Sequence, residues 1–138
     1  MIPPWRTKFR ISLRALGPEL ITVAADRDFS AGQSNWTVEA GDDVAWAGGD
    51  CDWTCDETNA IQLPVTLTEG AVHRVGLDIT DYTSGNMRIY LGDVYVDVVG
   101  EAVGSFIVYL AAGAGNFIQP WANNFIGSID NISLKKVL

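Results

Sequence analysis

The feature that most constrains this chain is an apolar pattern of period two that recurs along its length. Val75, Leu77 and Ile79 alternate with Arg74, Gly76 and Asp78, and Met87, Ile89 and Leu91 resume the pattern. Successive side chains of a strand point to opposite faces, so this alternation describes strands with one buried side. Between the two runs, Asp81-Tyr-Thr-Ser-Gly-Asn86 reads as a turn. Gly92-Asp93 marks a tighter turn before Val94, Val96 and Val98, and Phe106, Val108 and Leu110 form a further strand. The last strand runs from Phe125 through Ile132 to Leu134. Upstream, Phe9, Ile11 and Leu13 alternate with Lys8, Arg10, Ser12 and Arg14. Residues 20–23 start another extended run, Asp26-Arg27-Asp28 reads as a polar turn, and Trp36 and Val38 alternate with Thr37 and Glu39.

Residues 41–59, rich in Gly, Asp, Cys and Trp, read as loops around one short strand. Ile61, Leu63, Val65 and Leu67 then share a face, and Pro64 places that strand at a sheet edge because proline cannot donate to the ladder. No segment carries sustained helical periodicity. Strands every ~8–12 residues with turn signals between them predict an all-β antiparallel sandwich or barrel. The 138 residues suit one core. The expected division is an extended N-terminal arm over residues 1–16 and a β-domain over residues 17–138.

Charge is distributed unevenly. Arg6, Lys8, Arg10 and Arg14 precede the first acid, Glu19. Between residues 19 and 134 all 17 acids face only Arg27, Arg74 and Arg88, a net charge of −14, and Lys135 and Lys136 follow. An acidic body of this kind repels nucleic acid and anionic membrane, so neither is expected as a partner. The basic start reads either as a solvated tail or as an arm that docks on an acidic partner. It lacks the apolar run of a secretory signal, so export by the general route is not expected.

Catalytic and metal chemistry find little support. The one histidine, His73, falls on the Val75/Leu77/Ile79 face, where a core or rim position is the simpler reading. No His-Glu-x-x-His, phosphate loop or Gly-x-Ser-x-Gly elbow occurs. Ala112-Gly-Ala-Gly-Asn116 lacks the third glycine of a dinucleotide site and reads as a turn. Asp42-Asp43 and Asp56-Glu57 are carboxylate pairs in predicted loops, where solvation explains them, so the chain is expected not to be an enzyme. Cys51-Asp-Trp-Thr-Cys55 supplies half the ligands of a structural zinc site and does not have the redox spacing. Cys51 and Cys55 could close a small disulfide loop or stay as thiols, according to compartment.

Several segments together resemble a known pattern. Gly17-Pro-Glu-Leu-Ile21 is followed by Asp28-Phe-Ser30, Gly32 and Trp36, then by Asp78-Ile-Thr-Asp-Tyr-Thr-Ser-Gly85 and Arg88-Ile-Tyr-Leu-Gly92. Gly104-Ser-Phe106, Leu110-Ala-Ala-Gly113 and Phe125-Ile-Gly-Ser-Ile-Asp-Asn-Ile-Ser-Leu134 complete it. This resembles the jelly-roll domain, related to carbohydrate-binding modules, of tailed-bacteriophage structural proteins. The resemblance implies a two-sheet jelly-roll sandwich with Leu20, Phe29 and Trp36 in its core and its last strand beside its first. Asp26-Arg27 stands where that pattern has Asn-Gly. Related sugar-binding modules hold a structural calcium near this turn, which would fall to Asp28 and Asp130. Otherwise no cofactor is implied.

Two functions follow from the resemblance. In the first, the chain is a non-enzymatic virion protein, assembled in the host cytoplasm, that decorates the capsid. Trp5, Arg6, Lys8, Arg10 and Arg14 would attach it to the major capsid protein or another virion protein, as a homo-oligomer with a trimer favoured. The alternative is a carbohydrate-binding module, free-standing or in a tail or fibre, with Trp46, Trp53, Tyr82 and Trp121 as candidate platforms for a glycan. Only exposure in a shared groove separates such platforms from core anchors.

Overall fold

The computed structural model describes residues 15–41, 43–98 and 101–138. The described residues form nine strands: β1 (Leu16–Glu19), β2 (Thr37–Val38), β3 (Val44–Ala45), β4 (Cys51–Thr54), β5 (Thr58–Pro64), β6 (Val72–Leu91), β7 (Val94–Asp97), β8 (Gly104–Ala111) and β9 (Phe117–Val137). One helical turn, α1 (Ala24–Asp28), lies between β1 and β2. The proposed arm residues Trp5, Arg6, Lys8, Arg10 and Arg14, and the strand expected at residues 9–13, lie outside the described residues. The first paired strand begins at Leu16, opposite Val137 of β9.

Every pairing is antiparallel, and β6 and β9 run side by side through the whole molecule. Their first and last halves, respectively, form one sheet in the order β1-β9-β6-β8. Their other halves form the second, in the order β2-β5-β9-β6-β7, while β3 and β4 extend from the middle of β9. Both sheets feed one core: Val75, Leu77 and Ile79 from the first, and Met87, Ile89, Leu91 and Ile118 from the second. This is an all-β jelly-roll sandwich. Each large apolar side chain it encloses contributes about 1.5–3 kcal/mol.

The stretch expected to be a turn at residues 81–86 is instead the bend of one continuous 20-residue strand. Its register against β9 slips at several points between Gly76 and Asn86, and such bulges turn a strand without ending it. In β9 the apolar side chains in the core are Ile118 and Ala122, then Phe125 and Ile129, then Ile132 and Leu134. The parity changes at Asn124 (φ 50°) and again at Asn131 (φ 49°). Asparagine tolerates the left-handed region, so each inserts one extra residue and returns the apolar set to the core. Opposite the first switch stands Gly85 (φ 81°), where a β-carbon would overlap the Asn124 backbone carbonyl. Pro64 is the last residue of β5, past the Thr37–Val38 pairing, so its strand has neighbours on both sides rather than forming an edge.

The polar turn at residues 26–28 is α1, ended by Phe29 in the left-handed conformation (φ 54°). That conformation costs a non-glycine residue ~1–2 kcal/mol, which the complete burial of the Phe29 ring offsets. The ring lies 5.9 Å from Trp36 and 5.8 Å from Trp46. Leu20 is only half-buried, and Ile21 takes the core position beside it. Asp26 is buried and accepts both the backbone N–H (3.2 Å) and the side-chain amide (2.9 Å) of Asn35. Arg27 donates to the Ile21 carbonyl at 2.6 Å. These two residues, departures from the pattern noted in the sequence, pin the loop to the sheet. His73 is a core residue whose Nδ1 sits 2.8 Å from the Ala71 carbonyl oxygen.

Candidate functional site

The outer side of the second sheet gathers aromatic and polar groups. The Gly92-Asp93 turn closes the β6–β7 hairpin with Leu91 opposite Val94, which places Tyr90 opposite Tyr95 and Arg88 opposite Asp97. On the other flank of β6, β9 sets Gln119 opposite Tyr90, Trp121 opposite Arg88 and Asn123 opposite Asn86. Residues opposed across a pair share a face. The inward neighbours Met87, Ile89 and Leu91 hold that face in place from below.

Arg88 is the centre of the arrangement. Its guanidinium carbon lies 4.1 Å from the Tyr95 ring centroid and 4.5 Å from that of Trp121. Its Nε is 3.3 Å from Asp97, and the Tyr90 and Tyr95 rings pack at 5.1 Å. A cation held over ring faces is attracted by their quadrupoles. Its pKa is raised, first by hydrogen bonding to the Tyr90 side chain and also by the nearby Asp97 carboxylate. Tyr95 is 48% exposed, and Trp121, Tyr90 and Arg88 are half-buried, so ring surface and hydrogen-bonding groups remain open to solvent.

Of the four aromatic residues expected to form platforms, only Trp121 belongs to this face. Trp53 is 1% exposed and lies in the core, which removes it as a platform. The segment containing it is strand β4, wedged between β3 and β9. Trp46 is half-buried against Phe29. Tyr82 packs 6.1 Å from Phe125, and its hydroxyl donates to the Gly85 carbonyl at 2.9 Å across the bend. Arg88, Tyr90, Tyr95, Asp97 and Gln119 were not singled out in the sequence. The hairpin signal at Gly92-Asp93 could have found four of them, because a two-residue turn fixes which residues oppose each other.

Cys51 and Cys55 are buried free thiols, not a disulfide. An extended segment carries residues four apart to ~13 Å, well past the ~7 Å limit for bridging. Burial pushes both thiols above the ordinary value, with Asp52 adding to the effect at Cys51.

Asp28 and Asp130 border an acidic stretch that also includes Asp50, Asp52 and Asp78. Burial raises the pKa of Asp130, as do the charges of Asp28 and Asp78. Asp50 is raised by burial and then by Asp52. Asp28 is lowered by its hydrogen bonds with Ser30. At the β9 bulge the Asn131 backbone N–H donates to Asp130 at 2.7 Å and its side-chain amide donates to Asp78 at 2.8 Å. Among the described residues, no three or more His, Cys, Asp or Glu side chains converge on a metal-sized site. Calcium takes six to eight oxygens, backbone carbonyls among them, of which Asp28 and Asp130 would supply the carboxylates. What the geometry shows Asp130 doing is shaping the bulge.

No protein-family model matches the chain, and no curated protein matches it. Solved structures do. The N-terminal CBM22-1–CBM22-2 tandem domain of Paenibacillus barcinonensis Xyn10C superposes with a TM-score of 0.58 at 14% identity, over 90% of this chain and 48% of that one. TmCBM61 in complex with beta-1,4-galactotriose gives 0.54 at 18% identity, over 87% and 99%. The enzymatically active domain of bacteriophage CBA120 tailspike protein 4 gives 0.56 at 11% identity, over 84% of this chain but only 21% of that one. At such identities the likeness is one of fold, and that fold is the jelly roll of carbohydrate-binding modules.

Proposed function

We propose that this domain binds carbohydrate on the outer face of its second sheet, without cleaving it. The observation that carries the reading is the row Tyr95, Arg88, Trp121 on the outer face, where the guanidinium lies over both rings and Tyr95 is 48% exposed. Sugar recognition needs both parts: flat apolar surface for the C–H side of a pyranose, and fixed polar groups for its hydroxyls. Arg88 and Asp97 hold one another, so donors and acceptors are oriented before a ligand arrives and less ordering entropy is lost on binding. The paired charges neutralise one another locally, which favours a neutral glycan. The shared fold with carbohydrate-binding modules supports the same reading.

Retention on immobilised polysaccharides and a glycan array tests it. The wild-type chain is expected to be retained by at least one glycan. Trp121→Ala and Tyr95→Ala should each weaken that binding about tenfold or more, with stability changed by less than about 1 kcal/mol at the exposed Tyr95. Binding that survives both substitutions would place the site elsewhere, and no retained glycan at all would remove the reading.

A second reading has the domain acting in a phage particle, as an adhesion or capsid-decorating protein. The fold likeness to the tailspike domain supports it. Mass spectrometry of gradient-purified particles should then find the polypeptide, at hundreds of copies for a head protein and a handful for a tail; complete absence rejects it.

A further inference from the structure

We infer that the outer side of the first sheet is a second binding site, for an acidic carbohydrate whose carboxylate groups lie on Arg74 and Lys135. Cross-strand register builds it. Glu19 of β1 stands opposite Lys135 of β9, Lys135 opposite Arg74 of β6, and Arg74 opposite Tyr109 of β8. The neighbours His73, Val75 and Leu134 are buried, so this row lies on the outer side.

Two cations set directly opposite each other on adjacent strands repel, and such a pair destabilises a sheet. The chain holds 17 acids against nine lysines and arginines. Among the described residues, however, neither Arg74 nor Lys135 forms an ion pair, whereas Arg88 on the other sheet does. Glu19 flanks Lys135, but its two carboxylate oxygens accept from the Ser133 hydroxyl at 2.8 Å and from the Leu134 backbone N–H at 3.0 Å. An anion placed across Arg74 and Lys135 removes the repulsion. The fork of a guanidinium matches a carboxylate through two N–H bonds, and the ammonium adds a second charge.

Gly76 is the second observation. It lies within β6, between Ile107 of β8 and Ser133 of β9. Its φ is not in the left-handed region, and beyond its chain neighbours a β-carbon there would meet only the Phe106 carbonyl oxygen, at the ordinary distance of 3.9 Å. The bulge nearby is carried by Asn131 of β9. Neither backbone nor packing therefore calls for glycine at this position. Glycine weakens a strand interior and marks places where a ligand comes close to the backbone. The gap it leaves is bordered by Ile107 and Tyr109, 51% and 57% exposed. Ring and gap together offer a flat surface to the C–H side of a sugar ring, beside the two cations that would hold its carboxylate. This site and the one at Arg88 lie on opposite sides of the sandwich, so either stands without the other.

Retention of the full chain on immobilised polygalacturonate, alginate and hyaluronan, with polyglutamate as the peptide control, tests the inference. The wild type should be retained by at least one of the three polysaccharides and more weakly by polyglutamate. Replacing both cations, Arg74→Gln with Lys135→Gln, should weaken that retention about tenfold or more. Gly76→Val fills the gap and should weaken it as much without lowering the Tm, because it also removes a glycine from a strand. Circular dichroism melts check each variant, and the double Gln variant carries the test alone if Gly76→Val fails to fold. No retention on any of the three overturns the inference, as does equal retention on polyglutamate or binding that survives in the folded variants. Binding lost in Arg88→Gln but kept in the double Gln variant would place the ligand on the other sheet and overturns it as well.

Discussion

Arg88 shows how much one residue's role depends on its neighbours. In the sequence it is the polar partner of an alternating strand, and only Asp97, Tyr95 and Trp121 around it make it a recognition group. Asp130 shows the reverse: it belongs to the segment that closes the resemblance, yet it accepts its hydrogen bond from the backbone of Asn131. Its raised pKa has a thermodynamic consequence. The folded protein binds its proton more readily than the unfolded chain does, so stability falls as pH rises through the window between the ordinary and the raised value. The cost is fully present at neutral pH. Asp130→Asn keeps an oxygen for the Asn131 N–H and removes the charge. It should raise the Tm at pH 7 by about 3 °C, with the gain fading as the pH is lowered through the carboxylate range, as followed by circular dichroism melts. A Tm that falls at neutral pH would show that the carboxylate stabilises the fold.

At the scale of elements, the bend in β6 and β9 decides the architecture. The alternation at Val75–Ile79 and at Met87–Leu91 was legible, but the link between them read as a turn because Ser, Gly and Asn occupy it. Those residues do mark a departure from a flat strand, but the departure is a bulge and not a reversal. Gly85→Ala should expose the difference. A side chain there meets the Asn124 carbonyl at a positive φ, so the substitution should cost about 3 kcal/mol. In urea this appears as a lower midpoint with an unchanged slope. A change below about 1 kcal/mol would mean that the bend tolerates a side chain. β4 teaches a related point. Cys51, Trp53 and Cys55 are buried while Asp52, Thr54 and Asp56 are not, a period of two that was present in the sequence. The surrounding glycines and acids made it read as loop.

At the scale of the whole molecule, the sandwich closes over both thiols. Cys51 and Cys55 lie beneath strands that belong to the common core, and burial disfavours their reactive thiolate forms. Modification by a thiol reagent should therefore keep pace with global unfolding in a urea series. A reducing agent should leave the Tm unchanged. Rapid labelling of the native protein, or a Tm lowered by reduction, would contradict the packing.

The alternation of apolar residues by itself determined the all-β class and the position of most of the core, while the pairing of the last strand with the first was implied by the resemblance. Burial of one strand face is a local requirement, and it leaves its period in the chain. Which aromatic residues face solvent together was decided only by tertiary structure. Trp53 and Trp121 stand in equally polar surroundings in the sequence, yet one fills the core and the other lies under Arg88. The difference arises from cross-strand register and from the parity switches at Asn124 and Asn131, and those depend on residues far apart in the chain meeting at fixed positions.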